Sequence, residues 1–369
     1  MTGEARTIVV KVGTSSVTTA AGRTDTDVIG RICDEVAALR TAGHTVVVVT
    51  SGAITAGWSA LGRAGPRPSD PAVLQAVSAI GQSQLMTSWQ EGFTAHGLLV
   101  GQVLLAPLDF VHRQQYLHAR GTLSHLIELG VVPVINENDA VADEEIRFGD
   151  NDRLAALVAH LVWADLLILL TDAPGLLTAD PRRSAEASLI EEVLEIDHSL
   201  EAMAGGSSSA VGSGGMASKL AAAKIATWSG VETVIADAGR SGVLASILDG
   251  VPGAGTVFRA RSSRLSARKL WIAFALGSSG RVVVDEGARR ALVEWNRSLL
   301  AAGVVAVEGD FGPDDAVEIA LADGTVFAKG LIRYSARRAA EWVGRRSDEL
   351  PDDLPGEVVH RDDLVLLGR

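Results

Sequence analysis

Apolar residues fall in two rhythms along this chain. Short β-branched runs alternate with longer stretches whose apolar positions recur at helical spacing, which predicts a parallel sheet covered by helices on both faces, an α/β fold. Thr7 to Val12 predicts the first strand, Asp27 to Arg40 a helix that stops at Gly43, and Val46 to Val49 the next strand. Further strands are expected at Leu98–Leu105, Val131–Ile135, Leu166–Leu170 and Val231–Ala236, with helices near 72–91, 114–129, 152–163 and 216–229. After about Ser262 the rhythm changes to short strands at Arg281–Val284, Val304–Val307, Ala316–Leu321 and Thr325–Ile332, with Asp323-Gly324 as a hairpin turn. The pattern divides the chain into an α/β domain over 1–261 and a small, β-rich domain over 262–369. No internal repeat is visible.

Composition adds what the pattern leaves out. With 369 residues, 47% of them apolar and 21% charged, the chain can bury a sizeable core and lacks the polar bias of a disordered protein. A formal charge of −12 repels phosphate backbones and anionic membranes, so any anionic ligand needs its positive charge concentrated at one site. Cys33 is the single cysteine and has no disulfide partner within the chain. Met1 to Arg6 does not read as a signal peptide, and the apolar stretch Leu154 to Leu170 is interrupted by His160 and Asp165. A cytoplasmic protein with no membrane span is the expectation.

The predicted strands end in small or polar loops: Gly13-Thr14-Ser15, Ser51-Gly52-Ala53, Asn136-Glu137-Asn138-Asp139 and Thr171-Asp172. In open α/β sheets ligands bind beyond the carboxyl ends of strands, so these loops should converge. Lys11 beside glycine-freed amides suits phosphate oxygens, although a lysine at a strand end can equally be a solvated one. Gly212-Ser213-Gly214-Gly215-Met216-Ala217-Ser218-Lys219 opens a helical segment, where free N–H groups and the helix dipole favour an anion. It is no Walker loop. It matches a relaxed dinucleotide fingerprint, but a polar Gly/Ser tract stands where that fingerprint needs a strand, and a flexible linker is the plain alternative. Asn136 to Asp139 and Gly149-Asp150-Asn151-Asp152 could cap helices, or their carboxylates could ligate metal, grip an ammonium group or position lysines. The eight histidines form no metal-ligand cluster; His112, His118 and His125, with Arg113, could line one helical face near the site.

Taken together and in order, five motifs resemble the glutamate 5-kinase family of the amino acid kinase superfamily. They are Val10-Lys11-Val12-Gly13, Thr50-Ser51-Gly52-Ala53-Ile54, Val134 to Asp139, Phe148 to Asp152 and Gly212 to Met216. The resemblance implies an αβα sandwich around a mainly parallel sheet. It implies transfer of the ATP γ-phosphoryl group, with Mg²⁺, to the γ-carboxylate of glutamate. The resemblance further implies that glutamyl 5-phosphate forms, as the first step of proline biosynthesis, with proline as feedback inhibitor. Carried over, Ser51, Asp139 and Asn151 are glutamate contacts, with Asp150 beside them. The resemblance also implies that Lys11 and Lys219 bind phosphate and that Asp152 orients them. Lys11, Gly13, Thr171, Asp172 and the run Ser213, Gly214, Gly215, Met216, Ala217, Ser218 and Lys219 form the ATP site; metal ligands stay open. Ser213 and Ser218 stand where the family often has Thr, which keeps each hydroxyl.

From Ala267-Arg268-Lys269-Leu270-Trp271-Ile272 onward the chain is similar to a PUA domain, through Val283 to Ala288 and Val307-Glu308-Gly309-Asp310-Phe311. Acidic and basic residues roughly balance there, so RNA binding is not expected. A homo-oligomer is. The alternatives are another amino acid kinase acting on aspartate, acetylglutamate, carbamate or UMP, an RNA-binding protein with an inactive kinase portion, and a dinucleotide-dependent oxidoreductase.

Overall fold

Strands that are buried on both faces need apolar side chains at every position, and the first two runs supply them. Ile8–Val10 and Val46–Val49 are completely buried. A computed structural model describes residues 4–19, 22–63, 69–110, 112–141, 151–180, 184, 186–205, 215–262, 264–274, 276–346, 349 and 356–367. The chain divides into two compact units, Met1–Arg264 and Leu265–Arg369.

In the first unit the elements run β1 (Thr7–Val12), α1 (Thr26–Thr41), β2 (Thr45–Val49), α2 (Ala53–Ala60), α3 (Pro71–Thr94), β3 (Val100–Leu105), α4 (Arg113–Glu128), β4 (Val132–Glu137) and α5 (Asn151–Leu161). They continue with β5 (Leu166–Thr171), β6 (Glu192–Val193), α6 (His198–Gly205), α7 (Met216–Trp228), β7 (Glu232–Asp237), α8 (Val243–Leu248) and β8 (Thr256–Phe258). The eight-stranded sheet has the order β3-β4-β2-β1-β5-β7-β8-β6, and its first six strands are all parallel. Only β8 runs against its neighbour β7. After β1 the chain builds one flank and later the other, so the order reverses between β1 and β5. That is the topological switch point where α/β sheets place their ligands.

Pleating sorts the side chains of β1 to opposite faces. Ile8, Val10 and Val12 join the core formed with Ile29, Ile32, Val36, Leu85, Trp89 and Phe93 of α1 and α3. Lys11, on the alternate face, reaches α5. Helices α5 and α7 pack together on that side. Helix α1 starts on Asp25, whose side chain accepts from Val28 N at 3.1 Å, the expected N-cap bond.

Two glycines fix the approach of α2 to α3. A Cβ on Gly57 would lie 1.9 Å from the Val77 carbonyl oxygen, and one on Gly81 would lie 1.7 Å from that of Ala53. No side chain fits, so the helices meet backbone to backbone and α3 sits hard against the first turn of α2. That turn is set by Gly52, which caps α2 with φ 104°, a left-handed conformation that glycine adopts without strain.

The second unit comprises α9 (Ala267–Phe274), β9 (Gly280–Val284), α10 (Glu286–Trp295), β10 (Leu299–Leu300), β11 (Val304–Gly309), β12 (Ala316–Leu321), β13 (Val326–Ile332), α11 (Ala336–Glu341) and β14 (Glu357–Leu366). Its six-stranded sheet has the order β10-β14-β13-β12-β9-β11, in which only β12 and β9 pair in parallel. Gly324, with φ 87°, turns the β12–β13 hairpin. The unit has its own core, with Val282, Leu292, Val317, Ile319, Ile332 and Val359 among its members. No helix among the described residues is long and apolar enough to cross a membrane.

Candidate active site

Three charged side chains that are far apart in sequence meet beside the switch point. Lys11 Nζ pairs with Asp152 Oδ1, and Lys219 Nζ pairs with Asp152 Oδ2 at 3.0 Å. All three are buried, and the Asp152 side chain is 0% exposed. Local structure explains why each is there. Lys11 is the penultimate residue of β1, Asp152 lies in the first turn of α5 and Lys219 in the first turn of α7. A carboxylate at a helix N-terminus is favoured by the dipole, and here it also offsets two buried ammonium groups. Taken together, the three side chains carry one positive charge in a low-dielectric setting, which suits an anion.

Two glycines border that charge. A Cβ on Gly13 would lie 3.7 Å from Lys11 Nζ, so the glycine keeps the space beside the ammonium free of side chain. Gly215 caps α7 without a side-chain hydrogen bond, and the first-turn N–H groups of a helix are of the kind that can bind an anion. Ser218 is half-buried in the same turn. Thr171 ends β5, in register with Asp237 of β7, and its hydroxyl donates to Asp172 Oδ1 at 3.1 Å. These residues flank Lys11 because β5 lies next to β1, Lys11 pairing with Leu169.

A second cluster, of amides and hydroxyls, forms where β2 and β4 end. Asn151 Nδ2 donates to the Thr50 carbonyl at 2.5 Å and to Asn136 Oδ1 at 2.7 Å. Asn136 Nδ2 in turn donates to Gln82 Oε1 at 2.7 Å. The Thr50 hydroxyl accepts from Trp89 Nε1 at 3.0 Å, and Ser78 Oγ donates to Asp139 Oδ2 at 2.7 Å. Ser51 is buried beside Thr50 at the same loop. Asn151 and Asp152 are consecutive, so one helix start ties this polar cluster to the charged one.

The structure thus brings Lys11, Asp152 and Lys219 into contact and sets Ser51, Asp139 and Asn151 around neighbouring strand ends. Asp150, Ser213 and Gly214 lie outside the described residues. Thr50, Ser78, Gln82 and Trp89 were not read as site residues from the sequence. The signal was there in α3: Ser78, Gln82 and Trp89 fall on the same buried stripe as Leu85 and Phe93, and buried polar residues at core spacing call for partners. His112, His118 and His125 are exposed on α4 and its cap, and His125 pairs with Glu128 at 3.0 Å. His160 is held neutral, its pKa pushed down to about 4 by burial and by the Arg264 and Arg120 guanidinium groups. Cys33 is pushed up to about 12 by burial and by Asp34.

Among the described residues no group of three His, Cys, Asp or Glu side chains could cage a metal. Asp152 is committed to two lysines.

The Amino acid kinase family matches residues 6–237, and the PUA domain matches residues 280–354. Glutamate 5-kinase of Nocardia farcinica is 47% identical over 361 residues, which cover 98% of this chain and 97% of that protein. The glutamate 5-kinases of Syntrophotalea carbinolica and Mycobacterium tuberculosis are each 46% identical, over 98% of this chain and over 98% and 94% of their own lengths. Carbamate kinase from Giardia lamblia bound to AMP-PNP, at 18% identity and a TM-score of 0.50, covers 71% of this chain and 100% of its own, a likeness of fold alone. With matches across both parts of the chain, it belongs to the amino acid kinase family, among the glutamate 5-kinases, and carries a C-terminal PUA domain.

Proposed function

We propose that this chain transfers the γ-phosphoryl group of ATP to the γ-carboxylate of glutamate, giving glutamyl 5-phosphate and ADP. The observation that carries the proposal is the buried pairing of both lysines with Asp152 at the switch point. A carboxylate with a pKa near ~4.3 is already an anion at neutral pH, so the acceptor needs no general base. One carboxylate oxygen forms the new bond to phosphorus while the bond from phosphorus to the bridging oxygen breaks, and no proton moves. The obstacle is repulsion between two anions. Lys11 and Lys219 flank the transferring group and stabilise the charge that spreads over its oxygens, while Asp152 holds both ammonium groups in place before the nucleotide arrives. Mg²⁺, when bound, neutralises part of the phosphate charge.

On the acceptor side, Ser51, Asn151 and Asp139 hold glutamate, with Asp150 beside them and a carboxylate facing the substrate ammonium. Gly13, Thr171, Asp172 and the first turn of α7 from Gly215 to Lys219, preceded by Ser213 and Gly214, hold ATP. This reaction opens proline biosynthesis, and proline, which shares the α-carboxylate and amino nitrogen of glutamate, inhibits it. The protein works in the cytoplasm as a homo-oligomer, with 1–261 as the catalytic domain and 262–369 as the PUA-like domain.

An ATP-dependent hydroxamate assay run in parallel with glutamate, aspartate and acetylglutamate tests the reading. Product with glutamate alone, diminished by saturating proline, is the expected result. Equal or greater turnover of another acceptor overturns the substrate assignment. A chain ended after Arg264 should keep the glutamate activity, because Arg264 Nη2 still donates to the Ala164 carbonyl at 3.3 Å and stacks over Trp163, closing the catalytic unit. Loss of turnover in a soluble, folded truncation would show that residues beyond it serve the site.

A further inference from the structure

Helix α3 touches the acceptor half of the site at three points and contributes none of the residues assigned to substrate. Ser78 donates to Asp139, Gln82 accepts from Asn136, and Trp89 donates to Thr50. The spacing of the three residues puts them on one stripe of the helix. Their partners sit at two different strand ends: Thr50 just after β2, and Asn136 and Asp139 at the end of β4 and just beyond it. The same helix abuts the start of α2 through Gly81, immediately after the Ser51-Gly52 turn. One rigid element therefore fixes the relative placement of both strand ends.

We propose that Ser78 and Gln82 are positioning residues that set glutamate affinity by orienting Asp139 and the Asn136–Asn151 pair. The inference rests on the acceptor-site reading given above. Gln82 makes the case most clearly. Its Oε1 accepts from Asn136 Nδ2, while its own Nε2 is buried without a partner among the described residues. A buried orphan donor destabilises the fold, so stability alone does not account for an amide at this place. What the amide supplies is direction. An acceptor facing Asn136 Nδ2, together with the Glu137 N–H that donates to Asn136 Oδ1 at 3.0 Å, sets which way the Asn136 amide points, with Oδ1 also taking the hydrogen bond from Asn151 Nδ2. Asn151 is then held with its side chain between β2 and β4. Ser78 acts in the same manner on Asp139, occupying Oδ2 and thereby restricting the carboxylate's rotation.

Steady-state kinetics of Ser78→Ala, Gln82→Met, Asp139→Ala and the double variant Ser78→Ala/Asp139→Ala test this, with Ser83→Ala as control. Ser83 is exposed, and its hydroxyl bonds within the helix to the Ile80 carbonyl at 2.9 Å. Ser78→Ala and Gln82→Met should each raise the KM for glutamate about tenfold, the loss of one well-placed hydrogen bond, with the KM for ATP unchanged. Melting temperature should hold for Gln82→Met, because the orphan donor it removes offsets the one it creates on Asn136. In the double variant the Ser78 effect should vanish, since it acts through Asp139. Parallel rises in both KM values with a lowered melting temperature would mean a merely structural helix and overturn the inference. So would silent Ser78→Ala and Gln82→Met beside an impaired Asp139→Ala. A glutamate KM unchanged in Asp139→Ala would instead overturn the acceptor-site reading itself. Should Gln82→Met fail to fold, Ser78→Ala decides alone.

Discussion

The two halves of the site solve opposite electrostatic problems. Around Lys11, Asp152 and Lys219 the contacts are between full charges, buried and short. Around Asn136, Asn151, Thr50 and Gln82 they are between neutral amides, hydroxyls and a backbone carbonyl. Charge belongs where charge develops during reaction, because there it acts on the transition state more than on the ground state. Neutral hydrogen bonds belong where an anionic substrate must be held at a fixed angle and then released. Asn151 and Asp152, adjacent at the start of α5, place one residue in each half, so in the proposed reaction a single helix terminus would set the geometry of transfer.

The comparison makes unequal demands on the two halves, and the largest concerns Asp152. Asp152→Ala leaves two buried ammonium groups without their shared carboxylate, and stability should fall by about 3–5 kcal/mol in denaturant unfolding. Next, Lys11→Ala should lower kcat by about 10²–10³, the loss expected for a donor that acts on the transferring group. Lys11→Arg should rescue it poorly, because a planar fork does not fit the place of a compact ammonium. On the acceptor side Asp139→Ala, which removes a carboxylate, should weaken glutamate binding by about 1.5–3 kcal/mol, seen in the KM for glutamate and not for ATP. If Lys11→Ala raised the glutamate KM as much as it lowered kcat, the division between halves would blur.

The smallest effect lies outside both halves and serves as a reference for pH. His160 is held near 4, below the 6.5 of a free histidine, so the unfolded chain binds its proton first as pH falls. Its contribution to stability is complete above about pH 6.5 and is lost as pH drops toward 4. His160→Gln should flatten that part of the stability profile without altering turnover at neutral pH. An unchanged slope would assign the acid sensitivity to other groups.

Much of this was legible in the sequence because buried parallel strands are written as continuous apolar runs. Thr7–Val12 coincides with β1, and the helix expected near 216–229 is α7 at Met216–Trp228. The second unit was read less fully. Its helix α10 occupies Glu286–Trp295 where only strands and turns were expected, although Asp285, which accepts from Ala288 N at 2.7 Å, is an ordinary N-cap signal. Strand β14 at Glu357–Leu366 escaped because His360, Arg361, Asp362 and Asp363 interrupt its apolar alternation. In the site, charged residues at strand and helix ends announce themselves by type. The α3 contacts did not, since a serine or glutamine within a helix reveals its partner only once the helix is docked.

The most direct test of the charged half is a full kinetic description of Lys219→Ala, with kcat, the KM for glutamate and the KM for ATP measured together. The lysine lies in the first turn of α7, 3.0 Å from Asp152 Oδ2. Turnover should fall by about 10²–10³ while both KM values change little, as for an interaction made mainly in the transition state. Near-normal turnover would contradict this account: the start of α7 would then be a packed helix end, and the pairing of Lys219 with Asp152 a structural ion pair with no part in phosphoryl transfer.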